Sequence, residues 1–294
     1  MVVLIAGGTG FVGREIAGSA IRSGHRVRCL ARGTRGEVSL RPGVTSIYGD
    51  ISDPDSLIPA FEEVDILVHA VGIIREAGGS TFRAIHTEGT KNLVRMAQRA
   101  AVEKIVYISA LGTRADGASA YHRTKWEAEQ TVVGSGMDYT IFRPSVIFGP
   151  DDGFVNMLAR MIRFNPVVPV IGSGQYRLQP VSVKDIARLV VDALEHEDAR
   201  NRIFEVGGPE QFAYDEILDI ICQVSGRRRL KVHLPLTLMK PVVQVAEWVL
   251  PKPPVTMEQL TMLQEDNTCD VGPLKETFQI ELTLFRRGIS EYLR

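Results

Sequence analysis

The sequence predicts a doubly wound α/β fold, a mostly parallel sheet with helices on both faces, and three observations carry that expectation. Short apolar runs that read as buried strands recur along the first half of the chain. Helical patterns lie between most of them, and the first run ends in a turn whose glycines are three residues apart. Strands that alternate with helices require right-handed crossovers, which produce this layered arrangement. The strands are expected at 2–6, 26–31, 66–70, 105–109 and 139–143, with a further one at 203–206.

The first strand runs straight into Gly7-Gly8-Thr9-Gly10-Phe11-Val12-Gly13. Gly7, Gly10 and Gly13 hold the positions of a G-x-x-G-x-x-G dinucleotide fingerprint, which needs a tight turn, a close pyrophosphate approach and close helix packing. A helix expected at about 12–23 would aim its first amides at the phosphates, which makes Thr9, Phe11 and Val12 candidate contacts beside the three glycines. After the second strand, an NAD-binding chain commonly offers an acid to the adenosine ribose, whereas a 2′-phosphate needs a cation. Here Arg32 follows the strand, Arg35 is near, and no acid appears until Glu37. Arginine grips phosphate in a planar fork, so NADP(H) is favoured over NAD(H) as the cofactor.

A second constellation follows the strand at 105–109. Ser109 ends that strand, and Tyr121 and Lys125 stand four residues apart on an expected helix, hence on one face. A nearby ammonium favours the phenolate, so the expectation is a Tyr121 of lowered pKa that exchanges a proton with a carbonyl/alcohol pair. Ser109, or in second place Thr113, would hold the substrate oxygen. Other polar residues read more plainly. His69 lies in an apolar strand as a hydrogen-bonded structural residue, and His122 points away from the Tyr121/Lys125 face. Asp185 caps a helix. Asp50, Asp53 and Asp55 lack the glycine and terminal glutamate of a calcium loop, so no metal site is expected. Asp53 is instead expected to cap a helix.

The turn-rich run at 149–153 interrupts the alternation, which places a boundary near residue 150. We therefore expect a nucleotide-binding domain at 1–150, with 178–207 returning to it, and a smaller substrate lobe made of 151–177 and 208–294. Residues 232–250 are very apolar, but Pro235 and Pro241 interrupt them and Lys240 and Glu247 charge them. No transmembrane segment is expected, and a packed helix is favoured over a peripheral membrane or hydrophobic-ligand contact. The formal charge of −1 gives no reason to expect nucleic acid as a partner, and Arg227-Arg228-Arg229 is the lone tight basic cluster. Cys29, Cys222 and Cys269 are odd in number and widely separated, as in a reduced, cytoplasmic protein. No basic-then-apolar leader precedes Val2, so the chain is expected to be structural from its first residues.

Taken together, residues 7–13, Ser109, Tyr121 and Lys125 resemble the short-chain dehydrogenase/reductase superfamily, a Rossmann fold, in its extended or atypical branch. Residues 69–74 (His-Ala-Val-Gly-Ile-Ile), 86–90 (His-Thr-Glu-Gly-Thr), 143–149 (Arg-Pro-Ser-Val-Ile-Phe-Gly) and 183–185 (Val-Lys-Asp) are similar to motifs of that branch. Within it the chain is similar to the group resembling the 39 kDa NADH:quinone oxidoreductase accessory subunit, a group known for nucleotide binding more firmly than for catalysis. The resemblance implies that Gly49, Asp50 and Ile51 lie by the adenine. It places Ala70, Val71 and Gly72 by the ribose, where the helix face already directs Lys125, and Arg143, Pro144, Ser145 and Val146 near the nicotinamide. His86 departs from the pattern, since many extended members carry asparagine there. Three functions are compatible with this reading. The first is an NADP(H)-dependent oxidoreductase acting on a small-molecule carbonyl or alcohol. The second is a sugar-nucleotide epimerase or dehydratase, and the third a non-catalytic nucleotide-binding subunit or assembly factor of a redox complex. A homodimer or a redox-complex partner fits the apolar 232–250 region.

Overall fold

The computed structural model describes residues 1–32, 42–250 and 255–293. Two compact units are formed, one from Met1–Pro144, Val183–Glu205 and Gly272–Ile280, the other from Ser145–Ser182, Val206–Val271 and Glu281–Arg294.

The first unit is built in the order β1 (Val2–Ala6), α1 (Phe11–Arg22), β2 (Arg26–Ala31), β3 (Val44–Tyr48), β4 (Ile66–His69), α2 (Gly89–Arg99), β5 (Lys104–Ile108), α3 (Ala120–Val133) and β6 (Asp138–Pro144). Its sheet runs β3-β2-β1-β4-β5-β6, with the strand Arg202–Val206 beyond β6. Every pairing among β1 to β6 is parallel. All residues of β1, β4 and β5 are buried, which is why these strands read as continuous apolar runs rather than alternating ones. Strand order reverses between β1 and β4, and in such sheets ligands bind outside the strand carboxyl ends at that point. The glycine turn leaves the sheet there. Helix α1 packs beside the helix Val183–Glu195, and α2 beside α3.

The structure corrects the expected boundaries in three places. The division falls after Pro144 rather than at residue 150. Residues 178–182 belong to the second unit, because Val181 and Ser182 pair with Ile147 and Phe148. Residues 272–280 belong to the first unit, because the Phe278 ring packs on Phe142 and Phe204 at 5.7 and 5.2 Å between centroids. Strand β3 was not among the expected strands. It is a sheet edge with its residues half-buried or exposed, so it carries little of the apolar signal that marks the inner strands.

The second unit has its own core, which includes Phe148, Leu158, Ile162, Ile217, Ile221, Phe285 and Ile289. A parallel two-stranded pairing joins Val167–Ile171 to Leu230–Leu234. The expectation of a packed helix at 232–250 is corrected: the strand ends at Leu234, and in the helix Leu236–Val249 only Val243 is buried. Apolar residues encircle that helix, so packing at Val243 leaves Leu238, Val242, Val245 and Trp248 exposed, the last at 89 %. Among the described residues no helix is long and apolar enough to cross a membrane.

Candidate functional site

The turn after β1 closes with the Gly8 amide on the Ile5 carbonyl at 3.3 Å and the Gly10 amide on the Gly7 carbonyl at 3.0 Å. Gly7 has φ of +88°, and a Cβ there would lie 2.8 Å from the carbonyl carbon and oxygen of Ala70, so the exits of β1 and β4 approach too closely for any side chain. At Gly13 a Cβ would lie 2.1 Å from the Gly7 carbonyl oxygen, which locks the first turn of α1 against the loop. Gly10 is the helix N-cap and offers no side-chain cap, and no acid stands in the first turn. Such an end presents backbone N–H groups and the positive end of the helix dipole to an anion. Thr9, Phe11 and Val12 are half-buried around this turn, and Arg32 is exposed just beyond β2. Arg35 lies outside the described residues.

On the flank after β3, the Asp50 carboxylate accepts the Ser52 amide at 2.8 Å, and the Asp50 amide donates to Ser56 Oγ at 2.9 Å. Ile51 is buried, and its carbonyl accepts from Asn92 Nδ2 at 2.8 Å. Asp53 caps the 3-10 helix Pro54–Phe61 by accepting the Asp55 amide at 3.2 Å. Beyond β4 the Ala70 amide donates to the Ala6 carbonyl at 2.8 Å. Two buried histidines hold the next amides, Val71 donating to His69 Nδ1 at 3.3 Å and Ile73 to His86 Nε2 at 3.1 Å. Gly72 between them is so near Lys125 that a Cβ there would lie 3.1 Å from its Nζ.

Helix α3 starts at an N-cap, Ser119, whose hydroxyl accepts the His122 amide at 3.1 Å. Lys125 donates to the Ile108 carbonyl at 2.9 Å and lies over the Tyr107 ring, 5.0 Å from its centroid. Burial pushes the Lys125 ammonium down to about 8, against the opposing pull of Glu129. Tyr121 is buried in an aromatic cage, with the rings of Phe82, His86 and His122 at 5.8, 5.4 and 5.4 Å. The expected lowering of its pKa is corrected: burial pushes the phenol up to about 12. The lysine shares its helix face but donates a hydrogen bond to the Ile108 carbonyl, and desolvation decides the direction. Ser109 is buried at the end of β5, its Oγ 3.4 Å from Thr113 Oγ1, so the two hydroxyls weighed for the substrate oxygen lie together.

Lys125 also sets a pH dependence of stability. Its folded pKa lies below the unfolded value of 10.5, so between about 8 and 10.5 the unfolded chain binds more protons and stability rises with pH. Urea midpoints from pH 7.5 to 10 should therefore climb more steeply for the wild type than for Lys125→Met.

The Arg143 guanidinium pairs with Glu129 of α3. Its Nε donates to Glu129 Oε1 at 2.9 Å and its Nη2 to Oε2 at 2.5 Å, a bidentate pair on a fully buried carboxylate. Sequence reasoning missed Glu129, although it continues the 121, 125 spacing by one more turn. The Pro144 carbonyl accepts the Leu111 amide at 2.9 Å. Ser145 and Val146 belong to the second unit, where Ser145 Oγ lies 2.6 Å from Asn267 Oδ1. Among the described residues no cluster of three or more His, Cys, Asp or Glu could hold a metal ion.

Residues 3–207 match the NAD dependent epimerase/dehydratase family. The chain is 27% identical to photosystem II assembly factor Ycf39 of Synechocystis sp., over 99% of this chain and 90% of that protein. It is 26% identical to the mitochondrial NADH dehydrogenase [ubiquinone] 1 alpha subcomplex subunit 9 of Dictyostelium discoideum, over 93% of this chain and 78% of that one. Among solved structures, the dTDP-glucose 4,6-dehydratase of Bacillus anthracis in complex with NAD superposes with a TM-score of 0.78 at 15% identity, covering 100% of this chain and 95% of that one.

Proposed function

The chain belongs to the NAD dependent epimerase/dehydratase family, and on that premise we propose that it binds a nicotinamide dinucleotide and uses it on a small-molecule carbonyl or alcohol. The observation that carries the reading is the pair Gly7 and Gly13, neither with room for a Cβ, beside an uncapped helix start at the strand-order reversal. In this reading the pyrophosphate rests on the amides that open α1, and Asp50 and Ile51 flank the adenine. Ala70, Val71, Gly72 and Lys125 face the ribose. When bound, the nicotinamide supplies or takes the hydride. Tyr121 handles the proton and Ser109 the substrate oxygen. Because Tyr121 keeps its proton at neutral pH, it serves as donor, which suits reduction of a carbonyl.

Tyr121→Phe tests this. With a panel of aldehydes and ketones, turnover should fall by about 10²–10⁴-fold, while the dinucleotide dissociation constant stays unchanged. Arg32 supports NADP(H) over NAD(H). Arg32→Glu should weaken NADP(H) by roughly tenfold to a hundredfold, the worth of a charged hydrogen bond, and leave NAD(H) affinity equal or better, by calorimetric titration.

A second reading has its own support. The relatives Ycf39 and subunit 9 are named as an assembly factor and a complex subunit, and Lys125 turns its ammonium to the Ile108 carbonyl. A nucleotide-holding subunit of a redox complex would bind dinucleotide as above, and Tyr121→Phe would leave its biological role intact.

A further inference from the structure

We propose that His69 and His86 are neutral imidazoles held in opposite tautomers, and that through the Val71 and Ile73 amides they fix the loop after β4 in the form that receives the dinucleotide. The inference rests on the dinucleotide reading and goes beyond it by naming what shapes the loop.

The tautomers follow from counting protons. Thr90 has one hydroxyl proton and donates it to the His86 carbonyl. Toward His69 Nε2, 2.8 Å away, Thr90 must therefore accept, so His69 carries its proton on Nε2. His69 Nδ1 is left as the acceptor for the Val71 amide. Likewise Thr124 directs its single proton to the Ala120 carbonyl at 2.8 Å, with the Tyr121 carbonyl at 3.1 Å. It must then accept from His86 Nδ1 at 3.0 Å, which leaves His86 Nε2 as the acceptor for Ile73. Thus the buried polar groups of this chain of bonds satisfy one another, and each ring has one orientation. Protonation of either ring would set a ring N–H against an amide N–H, donor against donor. Burial and the nearby Lys125 charge oppose that, pushing His69 well below the usual range and His86 down to about 3. His86 is therefore a positioning residue.

Two measurements test this. In unliganded, ¹⁵N-labelled protein at pH 7, long-range ¹H–¹⁵N correlation should show His69 protonated on Nε2 and His86 on Nδ1. Identical tautomers, or a doubly protonated ring, would overturn the proposal. The variants separate the two ring nitrogens, since a glutamine amide oxygen reaches toward the place of Nε2 and an asparagine amide toward that of Nδ1. His86→Gln should keep the Ile73 amide protected from hydrogen exchange and keep NADP(H) affinity within about threefold. His86→Asn and His86→Leu should lose that protection and weaken NADP(H) by roughly tenfold or more, as for a buried donor left without its partner. Equal behaviour of the Asn and Gln variants, both with intact thermal transitions, contradicts the proposal. Should the wild type bind no dinucleotide, the functional reading fails. The tautomers and the exchange protection of Ile73, read without ligand, then decide the histidine assignment by themselves.

Discussion

Gly13→Ala is expected to weaken dinucleotide binding severely and to lower the melting temperature. The added methyl would sit 2.1 Å from the Gly7 carbonyl oxygen and 2.7 Å from its carbon, both backbone atoms that no rotamer change can move. Either α1 slides away from the turn or the turn opens. Both displace the amides that would meet the phosphates. Overpacking of this kind costs about 1–3 kcal/mol, which in a chain of this size means a shift of at least a few degrees. The functional loss should exceed the stability loss, with affinity down by roughly a hundredfold or more, about 2.7 kcal/mol. Gly153→Ala is the control, because nothing lies within 4 Å of its would-be Cβ. It should leave both melting and titration unchanged.

The second large effect falls on stability. Arg143→Met leaves the Glu129 carboxylate, whose side chain is 0% exposed, without its partner. Breaking a buried pair from one side costs about 3–5 kcal/mol, because an uncompensated charge stays inside. Urea denaturation should show that loss, and Glu129→Leu added to Arg143→Met should recover much of it, since the charge then disappears as well. A urea midpoint almost unmoved in the single variant would contradict the stabilising role, and a titration of the same variant with dinucleotide reads separately whether Arg143 also serves the nicotinamide.

Legibility in the sequence followed burial. Strands β1, β4 and β5 announce themselves because both faces are covered and every side chain is apolar or held, whereas the edge strand β3 shows no such pattern. The glycine turn was legible because its three glycines fall within seven residues, although the Ala70 carbonyl that leaves no room at Gly7 is far away in the chain. The supports of the loop after β4 were not. His86 meets Thr124 across 38 residues of sequence and His69 meets Thr90 across 21, so neither partner is adjacent in the chain. His86 could be noticed only as a departure from a family pattern, without its purpose. The Tyr121/Lys125 spacing correctly put both residues on α3. It could not show that burial raises the phenol, because desolvation depends on Phe82, His86 and the fold around them. The exposed apolar side of the helix Leu236–Val249 was equally hidden, since hydropathy does not say which residues find a neighbour.

The most direct measurement is calorimetric titration of the purified chain with NADP⁺ and NAD⁺, repeated on Gly13→Ala. Saturable binding of one dinucleotide per chain is expected, tighter for NADP⁺ and weakened by roughly a hundredfold or more in the variant. No binding of either dinucleotide at millimolar concentration would contradict that expectation.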